Sequence, residues 1–123
     1  MVLLDSNIVI YALQPDHEQL LLWLSTQTLA VSVVTRVEVL GFHGITETER
    51  RSAAALLSIP KQFSVDDGVV DAAIQLRRQR RISLADSLIA GTALSRGLLL
   101  ATRNMADFAW IRGLVTVNPF DEL

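Results

Sequence analysis

The chain has 123 residues, half of them hydrophobic, with thirteen acids against eleven bases and no cysteine. That length suits one compact domain, the missing cysteine excludes disulfides and thiolate metal sites and fits a reducing, cytoplasmic compartment, and a net charge of -2 argues against simple electrostatic binding to nucleic acid. A mean hydropathy of +0.37 is high for a soluble domain, yet no apolar run approaches the roughly 18 residues of a membrane span, so the surplus predicts a second buried surface, such as a dimer or partner interface.

Val2-Leu3-Leu4 is a short continuous apolar run ending in Asp5. It reads as a buried parallel strand, because an alternating strand would expose one face. No basic segment precedes it, so it does not read as a signal peptide. Ser6–Leu13 has helical spacing, stopped by Gln14-Pro15-Asp16. A second helix is predicted from His17 to Thr28, with Asp16 as its cap. Its run Leu20-Leu21-Leu22-Trp23-Leu24 is apolar all round, more than one sheet face requires. Leu29–Val34 reads as a strand and Val34–Gly41 as a helix, with Thr35 and Glu38 at cap and third positions. Thr46 and Glu49 form a clearer capping box, opening a helix that runs to Ser58. Phe63-Ser64-Val65 is a candidate strand, and Asp66/Asp67 open a helix through Gln79.

Ser83–Gly97 follows, with apolar residues at Leu84, Ala85, Leu88, Ile89, Ala93 and Leu94. Ser83 is its cap and Gly97 its stop. One acid, Asp86, stands in its first turn. Leu98–Ala101 is another buried strand, Thr102–Trp110 a turn and short helix, and Leu114–Val117 a last strand before Pro119 ends the pattern. Strands alternating with helices imply a parallel sheet covered by helices on both faces. Right-handed crossovers then align the strands' C-terminal ends along one edge.

Asp5, Glu38, Asp86 and Asp107 all fall at that edge, together with Asn104. Each alone has a capping explanation. Capping does not explain why four acids from distant segments face one crevice. Clustered carboxylates repel and hold protons more tightly unless a cation relieves them. An all-oxygen set suits Mg²⁺ or Mn²⁺. Such ions activate water and neutralise charge on a phosphoryl oxygen, which makes phosphodiester hydrolysis the natural chemistry of a site with no side-chain nucleophile. His17 and His43 add little, and there is no glycine-rich phosphate loop.

Asp5-Ser6-Asn7, Thr35-Arg36-Val37-Glu38, Leu84-Ala85-Asp86-Ser87-Leu88-Ile89-Ala90 and Thr102-Arg103-Asn104-Met105-Ala106-Asp107-Phe108 together resemble the PIN-domain ribonucleases, in particular the VapC-type toxins of bacterial toxin–antitoxin pairs. The resemblance covers nearly the whole chain. It implies a three-layer α/β/α fold and a Mg²⁺- or Mn²⁺-dependent acidic site that cleaves RNA. It also implies a homodimer silenced by a small antitoxin that inserts a basic side chain into the acidic pocket. By position, Asp5, Glu38 and Asp86 match the three core metal-binding acids. Asp107 is taken as the fourth, with Asn104 as a neutral contributor where some relatives carry an acid. Ser6 and Thr102 match pocket-lining polar positions. An acidic pocket repels RNA, so affinity must come from basic groups around it. Arg36 and Arg103 adjoin the motifs, and Arg77, Arg78, Arg80 and Arg81 precede the Asp86 helix. Taken alone, that run also reads as a solvated helix end favoured by the helix dipole. Three other readings compete. One is a PIN-fold binding module without catalysis, and a second is a housekeeping PIN nuclease without an antitoxin. The third is a phospho-receiver, which wants an acidic pair after its first strand and a late lysine; here Ser6-Asn7 follow Asp5 and Lys61 is the only lysine.

Overall fold

The computed structural model describes residues 1–123. Five strands, β1 (Val2–Leu4), β2 (Leu29–Ser32), β3 (Lys61–Phe63), β4 (Leu99–Ala101) and β5 (Thr116–Val117), pair in the order β3-β2-β1-β4-β5. Every pairing is parallel. Seven helices connect them: α1 (Ser6–Ala12), α2 (Glu18–Ser25), α3 (Val33–Leu40), α4 (Glu47–Leu57), α5 (Asp67–Gln79), α6 (Leu84–Arg96) and α7 (Met105–Phe108). A 3-10 turn at Pro119–Glu122 closes the chain where the sequence pattern had run out. No helix is long and apolar enough to cross a membrane.

Successive strand residues point to opposite faces, and both faces are covered. Val2, Leu4, Val31 and Ala101 pack with Ile8, Val9, Leu20, Leu24, Val39 and Leu57 of α1–α4. Leu3, Ala30 and Leu100 pack with Leu76, Ile89, Ala90, Ala93 and Phe108 of α5–α7. Strands β1 and β4 are therefore apolar at every position, β2 nearly so, and the expected three-layer α/β/α arrangement follows. On the second face Gly91 lets α6 approach α5: a Cβ there would stand 3.0 Å from the Val69 carbonyl oxygen. Gly97 ends α6 with a left-handed φ of 66°, a conformation glycine adopts without steric cost.

Several boundaries differ from expectation. α3 is capped by Ser32, whose Oγ accepts from the Val34 N–H at 3.0 Å. Thr35 is therefore inside the helix, and Glu38 lies beyond the first turn, so the two form no capping box. β3 spans Lys61–Phe63, not Phe63–Val65, because backbone pairing to Ala30–Ser32 sets it. This is an edge strand, where exposed Lys61 and Gln62 are tolerated. α2 is shorter than predicted, and His17 precedes it without a side-chain cap. The box at Thr46 and Glu49 is present with both bonds at 3.1 Å. Of the apolar run in α2, Leu20 and Leu24 are buried, while Leu21 and Leu22 are 42% and 68% exposed, leaving surface beyond what the fold covers.

Candidate active site

The parallel register builds the site. Leu4 pairs with Ala101, so the next residues, Asp5 and Thr102, leave the sheet side by side. The Asp5 N–H donates to the Ala101 carbonyl at 2.9 Å. Thr102 Oγ1 donates to Asp5 Oδ2 at 2.8 Å, and the Ser6 N–H donates to Asp5 Oδ1 at 2.8 Å. Asp5 thus caps α1 and is also fixed from β4. Its other side meets α3. Ser6 Oγ donates to Glu38 Oε1 at 2.6 Å and stands 3.2 Å from Thr35 Oγ1. Thr35 is fully buried. Its sequence signal was the three-residue spacing from Glu38, which puts both on one helix face; reading it as a cap concealed that role.

Asp86 enters from α6. Ser83 Oγ accepts its backbone N–H at 3.1 Å, which is the cap the sequence predicts, and that bond leaves the carboxylate within the influence of Asp107 and Glu38. α7 brings Asp107. Asn104 begins that helix without a side-chain cap bond, and its N–H donates to Thr102 Oγ1 at 3.0 Å. Asn104 therefore supports the shelf on which Thr102 holds Asp5.

The electrostatics tie the four acids together. Burial raises the Asp5 carboxyl to about 6; the bond from Thr102 and the Ser6 N–H oppose this, and the charges of Asp86 and Glu38 add to it. Burial likewise raises Asp86, opposed by Ser83 and reinforced by Asp107 and Glu38. The close ion pairs of the chain lie elsewhere, Arg50 and Arg51 with Glu47 and Arg96 with Asp66, so none of the four acids is in a close ion pair. No three acids stand close enough to cage a metal ion by themselves. The donor set nevertheless fits a hard divalent cation held partly through water: oxygen ligands only, mutually repelling carboxylates and flanking hydroxyls.

The arginines separate. Arg80 and Arg81 line a hollow of about 250 Å³ with Ser83, Asp86, Asp107 and Trp110. Arg77 and Arg78 stay on the last turn of α5, exposed and favourable to its dipole. Arg36 lines a hollow with Leu40, Ala54 and Leu57 on the α4 side, apart from the acids. Arg103 lies 4.2 Å from the Phe120 ring centroid and 4.9 Å from that of Tyr11. Its guanidinium covers an aromatic cluster that includes His17, so its adjacency to the motif in sequence does not make it a group of the acidic crevice.

A parallel sheet sandwiched by helices, with four acids at the strands' C-terminal edge, defines a class of α/β proteins built around a carboxylate site. Within that class, residues 2–111 match the PIN domain model, and the chain belongs to the PIN-domain family. It is 27% identical over 140 residues to VapC ribonuclease Y4jK of Sinorhizobium fredii, covering 98% of this chain and 99% of that one. It is 28% identical over 123 residues to the tRNA(fMet)-specific endonuclease VapC of Salmonella typhimurium, covering 91% and 92%. A toxin–antitoxin complex from Klebsiella pneumoniae contains a chain of the same fold, with a TM-score of 0.81, 26% identity, and coverage of 97% and 98%.

Proposed function

We propose that this protein is a Mg²⁺- or Mn²⁺-dependent endoribonuclease, the toxin of a VapBC-type pair, acting in the cytoplasm. The observation that carries the reading is the mutual repulsion of Asp5, Glu38, Asp86 and Asp107, none of them in a close ion pair. Asp5, Glu38 and Asp86 would hold the metal, directly or through water, with Asp107 at the rim. When bound, the ion supplies a polarised water and a counter-charge for the phosphoryl oxygens. The protein's own part is positioning. Thr102 and the Ser6 N–H fix the Asp5 carboxylate, Ser6 fixes Glu38, and α6 holds Asp86 in register. Arg80 and Arg81 supply the positive charge that brings a phosphate chain to an acidic crevice.

Kinship with two VapC nucleases supports the activity, and the toxin–antitoxin complex supports a small protein partner. An apolar groove of about 390 Å³, lined by Ile10, Leu13, Val39, Phe42 and Ile45, offers surface for protein contact. Leu21, Leu22 and Val37 are exposed beyond it, consistent with a homodimer. Mn²⁺-dependent cleavage of RNA by the purified chain, together with a divalent-dependent rise in Tm, tests the assignment. A chain that neither cleaves RNA nor gains stability from the metal is a binding module. Growth arrest on expression, relieved by a neighbouring small gene, tests the toxin role; harmless expression of an active enzyme points to a housekeeping nuclease.

A further inference from the structure

We propose that Trp110 and Arg80 form a stacking shelf for a nucleobase next to the phosphate cleaved at the acids, an inference that rests on the ribonuclease reading of that crevice. Trp110 is only partly buried. One side of it packs on the second core layer, and the ring also borders the hollow shared with Asp86 and Asp107. Its orientation is set by the very helix that carries Asp107: Trp110 Nε1–H donates to the Asp107 carbonyl at 2.9 Å. The Arg80 guanidinium lies 5.5 Å from the ring centroid, within the range of a cation–π contact. Arg80 is the residue at which α5 ends in extended backbone, with φ -161°, so the stacked pair bridges the end of α5 and the last turns before β5.

The chemistry of the hollow narrows what it takes. Arg80 and Arg81 select an anion. An indole ring with a planar cation over it selects a flat π-system. Asp86 and Asp107 tolerate the anion only beside a shared cation. A bare phosphate leaves the ring unused, and an uncharged base leaves the arginines unused. A nucleotide unit of a single strand uses both, and bases splayed from a strand stack on aromatic and guanidinium planes. A tryptophan that served only to close the core would require neither the arginine stack nor a place on the rim of an acidic hollow. Trp110 and Arg80 are thus substrate-positioning residues.

The test uses the full chain carrying Asp5→Asn, introduced to suppress cleavage, and Trp23→Phe, which leaves Trp110 as the single tryptophan. Titration with a short single-stranded RNA is expected to quench Trp110 fluorescence saturably. Trp110→Leu is expected to weaken binding of a dye-labelled copy of the same RNA roughly 5- to 150-fold, with Trp110→Phe retaining most of the affinity. Arg80→Ala is expected to reduce the salt dependence by about one phosphate contact. RNA that binds without quenching, no binding at all, or unchanged affinity in a natively folded Trp110→Leu chain overturns the shelf. The quenching measurement leaves the shelf residues intact, so it decides the matter even where Trp110→Leu fails to fold. Quenching by RNA in a protein whose unsubstituted form cleaves none would preserve the shelf and defeat the hydrolase reading; cleavage without quenching would do the reverse.

Discussion

The two ends of one sheet make opposite surfaces. At the C-terminal ends of the strands stand Asp5, Ser6, Ser32, Thr35 and Thr102, all buried and polar. At the N-terminal ends is a hollow of about 600 Å³ lined by Met1, Leu21, Leu24, Leu29, Leu56 and Ile59. The same strands feed both, so composition does not explain the difference. Buried polar groups cost free energy unless they are paired. At the acidic end every one is paired, for no buried side-chain nitrogen or oxygen in the protein lacks a partner. What pairing does not remove there is charge: the Asp5 carboxylate is hydrogen-bonded yet still repelled by Asp86 and Glu38. The apolar end carries no such tension. Strain is concentrated where chemistry is proposed and absent where only packing is needed.

The largest test of that contrast is at the acids. Asp5→Asn and Asp86→Asn should each lower metal-dependent RNA cleavage by at least about 10²-fold, the loss of a few kcal/mol of transition-state stabilisation. Asn at position 5 remains a good N-cap, and the cap of α6 is Ser83 bonded to the backbone of residue 86, so far-UV CD should stay native in both; cleavage at the parental rate by both variants would remove these acids from the site. Next in size is Thr102→Val. It leaves Asp5 Oδ2 without its bond, and a destabilisation of about 1–3 kcal/mol in urea unfolding is expected. The same change should push the Asp5 carboxyl further upward.

A pH series sharpens the comparison. The folded Asp5 carboxyl is raised to about 6 from 3.8, so between those values the folded state binds more protons than the unfolded one. Stability of the metal-free protein should therefore fall as pH rises through that window. Asp5→Asn should be more stable than the parent at pH 7 and equal to it near pH 4, as read from Tm. An equal difference at both pH values would mean that Asp5 is not destabilised as a charge. The smallest effect belongs to the apolar end. Ile59 is 73% exposed, and Ile59→Ser should change stability by no more than about 0.5 kcal/mol and leave cleavage unaltered. A large loss of activity there would break the division between the two ends.

Much of this was legible in the residues. Continuous apolar triplets predicted strands buried on both faces, and the capping residues at Thr46, Asp66 and Ser83 marked helix starts that the structure keeps. The order of acids after the strands was enough to propose one crevice. Local patterns failed where a residue had two roles. Thr35 and Glu38 matched a capping box, but Ser32 ends a strand at the place where its hydroxyl can cap α3, and the helix starts there. Phe63–Val65 had the β-forming side chains, whereas pairing chose Lys61–Phe63. The arginines were the least legible, because a guanidinium reaches several partners and its neighbours in space are not its neighbours in sequence. Arg103 turned to Phe120 near the far end of the chain, and Arg80 found Trp110.

By itself the sequence determined the periodicities, the caps and the identity of the acids, since these depend on residues a few positions apart. Only the tertiary structure decided which hydroxyl holds which carboxylate and which arginine meets the crevice. Those choices depend on strand register, and a parallel register is set by backbone pairing between segments such as Leu4 and Ala101 that lie far apart along the chain.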